Sequence, residues 1–173
     1  TRRMAIDQAT RASLELHQTQ RGQQRGSLRQ VIDLTVTAPG SRLLSARLAA
    51  PLADAAAINE RLDAVDLLAN DTLLTGRLRA DLKAVPDLAR ALTRLALDRG
   101  GPRDLAAIGK AISAASALAG HFARLEDVPT VLARLAATLA AAPLPLASEL
   151  ALALDDDLPL LSRDGGFVRK GYD

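Results

Sequence analysis

Apolar residues recur through most of the chain at the three- and four-residue spacing that is typical of amphipathic helices. The clearest stripe follows Pro102 and consists of Leu105, Ile108, Ile112, Ala115, Ala119 and Phe122. At about 1.5 Å per residue, this stripe predicts one helix roughly 30 Å long with a single apolar face. A shorter stripe, Ile58, Leu62, Val65 and Leu68, predicts another helix. The pattern therefore predicts an all-α, multi-helical chain organised around one long helix.

Capping residues, prolines and glycines divide the rest of the pattern into helices and breaks. Residues 26–52 are expected to form a joint between two helices, the second of which runs over residues 41–50 and stops at Pro51. Pro39 and Gly40 lie between the two helices as a break. Short polar side chains that precede a helix commonly cap it. The expected caps are Asp7, Ser27 and Asp54.

A second break is expected at Gly100 and Gly101, directly before the long helix. Asp104 lies in the first turn of that helix, where a carboxylate meets the positive end of the helix dipole, and is expected to cap it. Arg103 is expected to bridge to a neighbouring helix. Further helices are predicted near residues 72–82, 86–95, 129–139 and 148–154, most of them bounded by proline.

The C-terminal tail has a different pattern. Two short apolar segments, residues 160–163 and 167–169, flank Asp164, Gly165 and Gly166. An Asp-Gly turn between apolar segments is typical of a β-hairpin. We therefore expect a short hairpin near the C-terminus.

Composition agrees with a helical chain and narrows the possible functions. Hydrophobic residues make up 49% of the 173 residues and aromatic residues only 2%, so few side chains can stack on nucleic-acid bases. There is no cysteine, which excludes disulfides and thiolate metal sites. No apolar run of about 18 residues occurs, so we expect no membrane span. The net charge is +2, but basic residues outnumber acidic ones within residues 1–47. This basic segment could meet phosphate or, as we favour, an acidic face of the same protein.

The residues that carry enzyme chemistry do not form a recognisable motif. Gly109-Lys110 lacks the other residues of a phosphate-binding loop, since Ala111 stands where Ser or Thr is needed for magnesium. His17 and His121 have no partner at metal-ligand spacing. The acidic run at residues 155–157 is typical of a solvated helix end. We therefore expect no catalytic residue, no metal and no cofactor in this chain.

Arg42 is an unusual charge, because a cation near the start of a helix opposes the helix dipole. We expect a carboxylate on another helix, Asp33 or Asp63, to hold Arg42 and so to fix the angle of the joint. A solvated Arg42 is the alternative.

Several ordered blocks resemble the core and lever region of the MutS family of DNA mismatch-recognition ATPases. The first block is Thr37-x-x-Gly40-x-Arg42-x-Leu44 followed by Pro51-Leu52, and upstream of it lie Ile6-Asp7, Thr10 and Leu14-Glu15. Later blocks include Asp87-Leu88, Arg90, Arg94-Leu95, Pro102-Arg103-Asp104-Leu105 and Arg163-Asp164-Gly165-Gly166. The sequence departs from the family pattern at Ser13, Arg47 and Ala89, where Asn, Trp and an acidic residue are usual.

The resemblance implies a structural and signal-transmitting segment that links an ATPase domain to a DNA clamp. It implies a parent protein that binds mismatched DNA and ATP with Mg²⁺, the ATP in a separate C-terminal domain, and that forms a homodimer in the cytoplasm at the nucleoid. The connector, clamp and ATPase domains of the parent would be its partners. Because this end of the lever adjoins the clamp, Arg163, Arg169 and Lys170 are candidates for contact with the DNA backbone.

The resemblance also suggests three parts: the leading segment and joint (1–52), the helical core and lever arm (53–158) and the hairpin towards the clamp (159–173). Gly40, Arg42, Pro51 and Asp104 are the residues expected to form the structural joints. The chain starts at Thr1 with Met4 inside and ends near the expected clamp, so we expect an excised piece of a longer protein. We also expect the long helix to have lost a neighbour and to expose an apolar stripe that self-associates.

Two other classes of function stay open at this point. The chain could be an independent α-helical protein-interaction domain that uses its Leu and Ala stripe as a partner groove. An autonomous nucleic-acid binder is the third alternative, although the chain lacks aromatic residues and a recognition-helix motif.

Overall fold

The computed structural model describes residues 2–172, which form α-helices, short turns and two isolated β-bridges, with no sheet among them. The prediction of an all-α, multi-helical chain is therefore confirmed. The chain divides into two compact units, Thr1–Thr72 and Leu73–Asp173, which are described separately. The functional divisions that we expected at residues 52 and 158 stay predictions.

Unit 1 contains the helices α1 (Gln8–Ser13), α2 (Leu28–Ile32), α3 (Ala38–Ala49) and α4 (Ala55–Asn70). Each begins after a side chain that accepts a hydrogen bond from a backbone N–H three residues later. These caps are Asp7, Ser27, Thr37 and Asp54, and three of the four were predicted.

The start of α3 differs from the prediction. Pro39 and Gly40 lie in the first turn of α3 and not in a break before it. Proline suits this position because its fixed φ is helical and the missing N–H has no partner there in any helix. The cap of α3 is Thr37, which the sequence pattern did not predict.

An extended segment at the N-terminus lies alongside the residues that follow α3. Arg3 and Leu52 form an antiparallel bridge, and the Met4 N–H donates to the Pro51 carbonyl at 2.8 Å. The Ala53 N–H donates to the Arg2 carbonyl at 3.0 Å. Pro51 thus ends α3 and also pairs with the leading segment of the chain.

Unit 2 is built around α7. Its helices are α5, which begins at the last residue of unit 1 (Thr72–Ala84), α6 (Leu88–Ala96), α7 (Pro102–Phe122), α8 (Thr130–Ala140) and α9 (Leu144–Ala153). The helices α6, α8 and α9 all pack against α7. The centre of this packing is a cluster of buried side chains: Ala91, Ile108, Ile112 and Ala147. The small residues allow close approach of α6 and α9 to the long helix.

The apolar stripe of α7 is covered within unit 2. Ile108, Ile112, Ala119 and Phe122 are all at most 8% exposed. Our expectation of an uncovered stripe on this helix was therefore wrong, because α6, α8 and α9 bury it. By length and composition alone α7 could span a membrane, and so could the bent pair α8 and α9; core helices commonly pass the same test.

The predicted C-terminal β-hairpin does not form. Residues Ser162–Asp164 make a 3₁₀ turn, and Gly165 and Gly166 follow with φ of 66° and 68°. The outgoing segment then pairs with the end of α9: Leu154 and Val168 form an antiparallel bridge, and the Asp155 N–H donates to the Phe167 carbonyl at 2.9 Å. Since Leu154 leaves α9 in an extended conformation, its free edge pairs with residues 167–169, which were expected to pair with residues 160–163.

Candidate functional site: two helix joints and a basic C-terminal segment

A carboxylate at the end of α2 ties that helix to the first turns of α3. Asp33 accepts hydrogen bonds from the Thr35 N–H at 3.1 Å, from Thr35 Oγ1 at 2.6 Å and from Ser41 Oγ at 2.5 Å. Arg29 Nη2 donates to the same Ser41 Oγ at 3.0 Å. Hydrogen bonds from the Ser41 hydroxyl and from the hydroxyl and backbone N–H of Thr35, with the nearby Arg29 charge, hold the pKa of Asp33 below its ordinary value. The joint is therefore held by an ionised side chain.

Gly40 allows the capping side chain of Thr37 to lie close to the backbone of α3. The Gly40 N–H donates to Thr37 Oγ1 at 3.1 Å. A Cβ on Gly40 would lie 2.9 Å from that same oxygen and 3.4 Å from the Cβ of Thr35. A larger residue would therefore push the capping side chain away.

Arg42 lies in the second turn of α3, because the helix begins earlier than the sequence predicts. The hydroxyls of Thr35 and Ser41 donate hydrogen bonds to Asp33, and the arginine whose charge lowers the pKa of Asp33 is Arg29. The pairing of Arg42 with Asp33 or Asp63 stays a prediction. Sequence reasoning missed Arg29, which lies on α2 and donates to Ser41, the same residue that donates to Asp33.

A second carboxylate joins α6 to α7. Asp104 Oδ2 accepts a hydrogen bond from the Gly101 N–H at 3.1 Å and so caps α7, as its position predicts. Asp104 Oδ1 accepts from Arg94 Nε at 2.9 Å and also from Arg94 Nη2. Asp104 is only 8% exposed. The hydrogen bonds from Arg94 above all, with that from Gly101, outweigh burial and lower the pKa of Asp104.

Sequence reasoning missed Arg94 as the partner of Asp104. A usable signal was present, because the two opposite charges stand on either side of the glycine pair, in the last turn of α6 and the first turn of α7. A short turn between antiparallel helices brings such positions together.

The segment after α9 also meets this second joint. Arg103 Nε donates to the Leu158 carbonyl at 2.9 Å, so Arg103 holds a loop and not a neighbouring helix as we expected. A Cβ on Gly101 would lie 2.8 Å from the Leu160 carbonyl oxygen. Both contacts place residues 158–160 against the start of α7.

The three basic residues that the sequence singled out for DNA contact are all exposed. Arg169 Nη2 lies 3.1 Å from Asp156 Oδ1 in an exposed ion pair, so a phosphate would compete with that carboxylate. Arg163 belongs to the 3₁₀ turn, and Lys170 follows the bridge to α9. Their contact with DNA stays a prediction.

The two histidines serve as side-chain links in the structure. His121 Nε2 lies 2.6 Å from Asp81 Oδ2 and so connects α7 to α5. His17 Nδ1 lies 3.4 Å from Ser45 Oγ. Across residues 2–172, no group of three or more His, Asp or Glu side chains is arranged to hold a metal ion. The chemistry of the described sites is the holding of helices by charged hydrogen bonds.

Comparison with known proteins gives one consistent result. The chain matches the family model of MutS domain III over residues 9–170. It is 55% identical to the DNA mismatch repair protein MutS of Rhodopseudomonas palustris (strain BisB5) over 170 residues, which cover 98% of this chain and 18% of the relative. The same named protein of Nitrobacter winogradskyi is 53% identical over 98% of this chain and 19% of the relative, and that of Azorhizobium caulinodans is 53% identical over 98% and 18%.

The chain thus spans about a fifth of the length of the curated relatives that it matches. The family model covers nearly all of it, including both helix joints and the segment after α9. The chain belongs to the MutS domain III family.

Proposed function

We propose that this chain is the core and lever segment of a DNA mismatch-repair protein, and that it transmits a mechanical signal between an ATPase domain and a DNA clamp that lie elsewhere in the parent. The observation that carries the proposal is the network of Arg94, Asp104 and Gly101 at the start of the 21-residue helix α7. The match to MutS domain III and the relatives' name, DNA mismatch repair protein MutS, support a place in mismatch repair.

The packing of α7 suits it to transmit movement. A helix that is covered along its length by α6, α8 and α9 moves with them as one body. Transmission by rigid helices requires short joints that absorb the change in angle. The glycine pair before α7 is such a joint, and the Arg94–Asp104 pair sets its resting angle.

We further propose that the parent protein binds mismatched DNA, and ATP with Mg²⁺, through domains outside this chain, and acts as a homodimer in the cytoplasm at the nucleoid. Its connector, clamp and ATPase domains would be the partners of this segment. The segment itself would have no catalytic residue and no cofactor. The alternative of an independent interaction domain gains no support from a match that extends over residues 9–170.

Direct DNA contact by this segment would be limited to Arg163, Arg169 and Lys170. Contacts from a few exposed cations to phosphates are weak, salt-sensitive and independent of sequence. Fluorescence anisotropy of the chain with matched and mismatched duplexes, at low and moderate salt, measures this. A salt-resistant preference for the mismatch would overturn the proposed division of labour.

Coupling is tested in the full-length parent with Asp104→Asn, with Arg90→Ala as the control for an exposed charge on α6. Three quantities are measured at a temperature where all proteins are folded: mismatch affinity, ATPase rate without DNA, and stimulation of the ATPase by mismatched DNA. The proposal expects Asp104→Asn to reduce the stimulation while the first two quantities stay near wild type. Stimulation equal to that of the control would refute the signal-transmitting role of this joint.

A further inference from the structure

A polar cavity of about 290 Å³ lies within unit 1. Small-molecule sites in proteins have volumes of about 300–1,000 Å³, so this cavity is close to the lower end of that range. It is lined by polar and charged side chains of α2 and of the segments on either side of that helix: His17, Gln24, Ser27, Arg29, Gln30 and Asp33. The cavity therefore suits a small polar molecule.

The walls of this cavity are held together by hydrogen bonds within the chain. The Arg29 N–H donates to the Leu16 carbonyl at 3.0 Å, so the first turn of α2 lies against the residue before His17. Ser27 Oγ donates to the Gln24 carbonyl at 2.8 Å. Leu16 and Ser27 are both buried. Because buried residues make these contacts, the cavity is preformed.

Arg29 brings a donor with unused capacity to the cavity wall. Its Nη2 donates to Ser41 Oγ at 3.0 Å, but its Nε is buried and has no hydrogen-bond partner among residues 2–172. Buried polar groups in folded proteins nearly always have a partner, because a buried N–H that has lost water and gained no acceptor is unfavourable. The guanidinium group can therefore bind an acceptor that enters the cavity.

The carboxylate in the same wall does not take this donor. Asp33 Oδ1 accepts from the N–H and from Oγ1 of Thr35, at 3.1 Å and 2.6 Å. Asp33 Oδ2 accepts from Ser41 Oγ at 2.5 Å. Asp33 is thus linked to Arg29 through the hydroxyl of Ser41, and this link fixes the guanidinium group while leaving Nε available.

The other side chains of the wall favour an oxygen acceptor. The amides of Gln24 and Gln30 can each donate two hydrogen bonds, and His17 can donate through a ring nitrogen. Gln30 Oε1 accepts the Gly26 N–H at 3.4 Å, so the amide nitrogen is the end of that side chain left for a ligand. Arginines also outnumber acidic residues within residues 1–47, which favours an anion.

The charge of Asp33 decides which anion fits. A phosphate group carries about −1.5 to −2 at neutral pH, whereas a carboxylate carries a single negative charge. Asp33 therefore repels a phosphate more strongly than a carboxylate. A guanidinium group also matches the planar geometry of a carboxylate.

We propose that this cavity binds a small carboxylate-bearing molecule, whose oxygens accept hydrogen bonds from Arg29 Nε and from the amides of Gln24 and Gln30. The ring of His17 lies in the same wall and supplies a further donor. The site belongs to unit 1 alone and does not depend on the coupling role proposed for the joint before α7.

The direct test is an NMR titration of the isotope-labelled whole chain with acetate at constant ionic strength. The Nε–Hε signal of Arg29 is expected to shift and to saturate, since a carboxylate oxygen becomes its acceptor. Acetamide has the shape of acetate without the charge and is expected to bind at least about tenfold more weakly, because hydrogen bonds to an ionised acceptor are stronger. Equal binding of the two, or an Arg29 signal that does not respond to acetate, would overturn the proposal.

Inorganic phosphate tests the class of anion in the same titration. It is expected to shift the Arg29 signal less tightly than acetate does, because its larger charge faces Asp33. Tighter binding of phosphate at this signal would assign the cavity to phosphate and refute the choice of a carboxylate.

Variants locate the binding in the cavity. Arg29→Lys keeps the positive charge but removes the Nε donor, and is expected to lose at least about tenfold in acetate affinity, read from the backbone amide signal of Gln30. The matched control Arg25→Lys makes the same change in the exposed loop before α2 and is expected to retain affinity. An unchanged affinity in Arg29→Lys, or an equal loss in both variants, would show that Arg29 does not hold the ligand.

A second variant keeps the test decisive if Arg29→Lys fails to fold. Gln24→Leu removes a side-chain donor from the cavity but keeps the backbone carbonyl that accepts from Ser27. It is expected to weaken acetate binding by about threefold or more, the effect of one neutral hydrogen bond. Full affinity in this variant would contradict the assignment of the ligand to this cavity.

Discussion

Substitution of Asp104 tests whether the joint before α7 is held by charge. Asp104→Asn keeps the size of the side chain and an oxygen that can accept the Gly101 N–H, but it removes the negative charge that binds Arg94. A hydrogen bond to a charged group contributes about 1.5–3 kcal/mol to stability. The Arg94 side chain is 48% exposed and regains water when the pair is lost, so we expect a loss near the low end, about 1–2 kcal/mol.

A second variant separates the charge from the cap. Asp104→Ala removes the acceptor for the Gly101 N–H as well as the charge. Loss of a capping acceptor costs about 1 kcal/mol more. The expected order of stability is therefore wild type, then Asp104→Asn, then Asp104→Ala.

Urea unfolding followed by circular dichroism measures these differences. With a denaturant slope of about 2 kcal/mol per molar, Asp104→Asn should lower the urea midpoint by roughly 0.5–1 M. Arg90→Ala serves as the control, because Arg90 is 67% exposed in its contact with Asp87 and should leave the midpoint unchanged. If Asp104→Asn behaves like this control at neutral pH, the pair with Arg94 does not hold the joint.

The dependence on pH gives an independent check of the same reasoning. The pKa of Asp104 is lower in the folded chain than its ordinary value of 3.8. A lowered folded pKa adds stability above the ordinary pKa, and this stability is lost as pH falls through the folded value. The difference between wild type and Asp104→Asn should therefore be largest near neutral pH and shrink below about pH 4. A difference that stays constant into acid would contradict an ionised Asp104.

Three further substitutions, one of them with a control, test the packing that positions the joints, all by urea unfolding. Gly101→Ala should destabilise by about 1–3 kcal/mol because its Cβ would lie 2.8 Å from the Leu160 carbonyl oxygen, whereas Gly120→Ala, with open space around it, should be neutral or stabilising by up to about 1 kcal/mol. Equal effects of the two glycine changes would show that residue 160 is not held against α7. Ser27→Ala should cost about 1–2 kcal/mol, since this cap of α2 is only 1% exposed; an unchanged midpoint would mean that unit 1 unfolds apart from the measured transition. Ile108→Ala should cost about 2–4 kcal/mol through the cavity left in the centre of unit 2, and a smaller loss would indicate that the core around α7 collapses to fill it.

The sequence was informative wherever the deciding interaction is local. The stripe from Leu105 to Phe122 identified the longest helix, because spacing by three and four residues reports one face of a helix directly. Ser27, Asp54 and Asp104 were recognised as caps since a capping bond spans only three residues. The family resemblance was also readable, because it rests on ordered residues and not on their positions in space.

The tertiary structure decided the features that depend on residues distant in the chain. Residues 167–169 pair with the end of α9 and not with residues 160–163. Neither their composition nor the Asp-Gly turn predicts which extended segment lies beside them in the fold. The coverage of α7 by α6, α8 and α9 overturned the expected exposed stripe, since helix periodicity shows that a face is apolar but not what lies on it. The partners of the charges, Arg94 for Asp104 above all, likewise follow from how the helices pack. Local hydrogen bonds and helix periodicity depend on short stretches of sequence, whereas the pairing of residues distant in the chain depends on the packing of the whole fold.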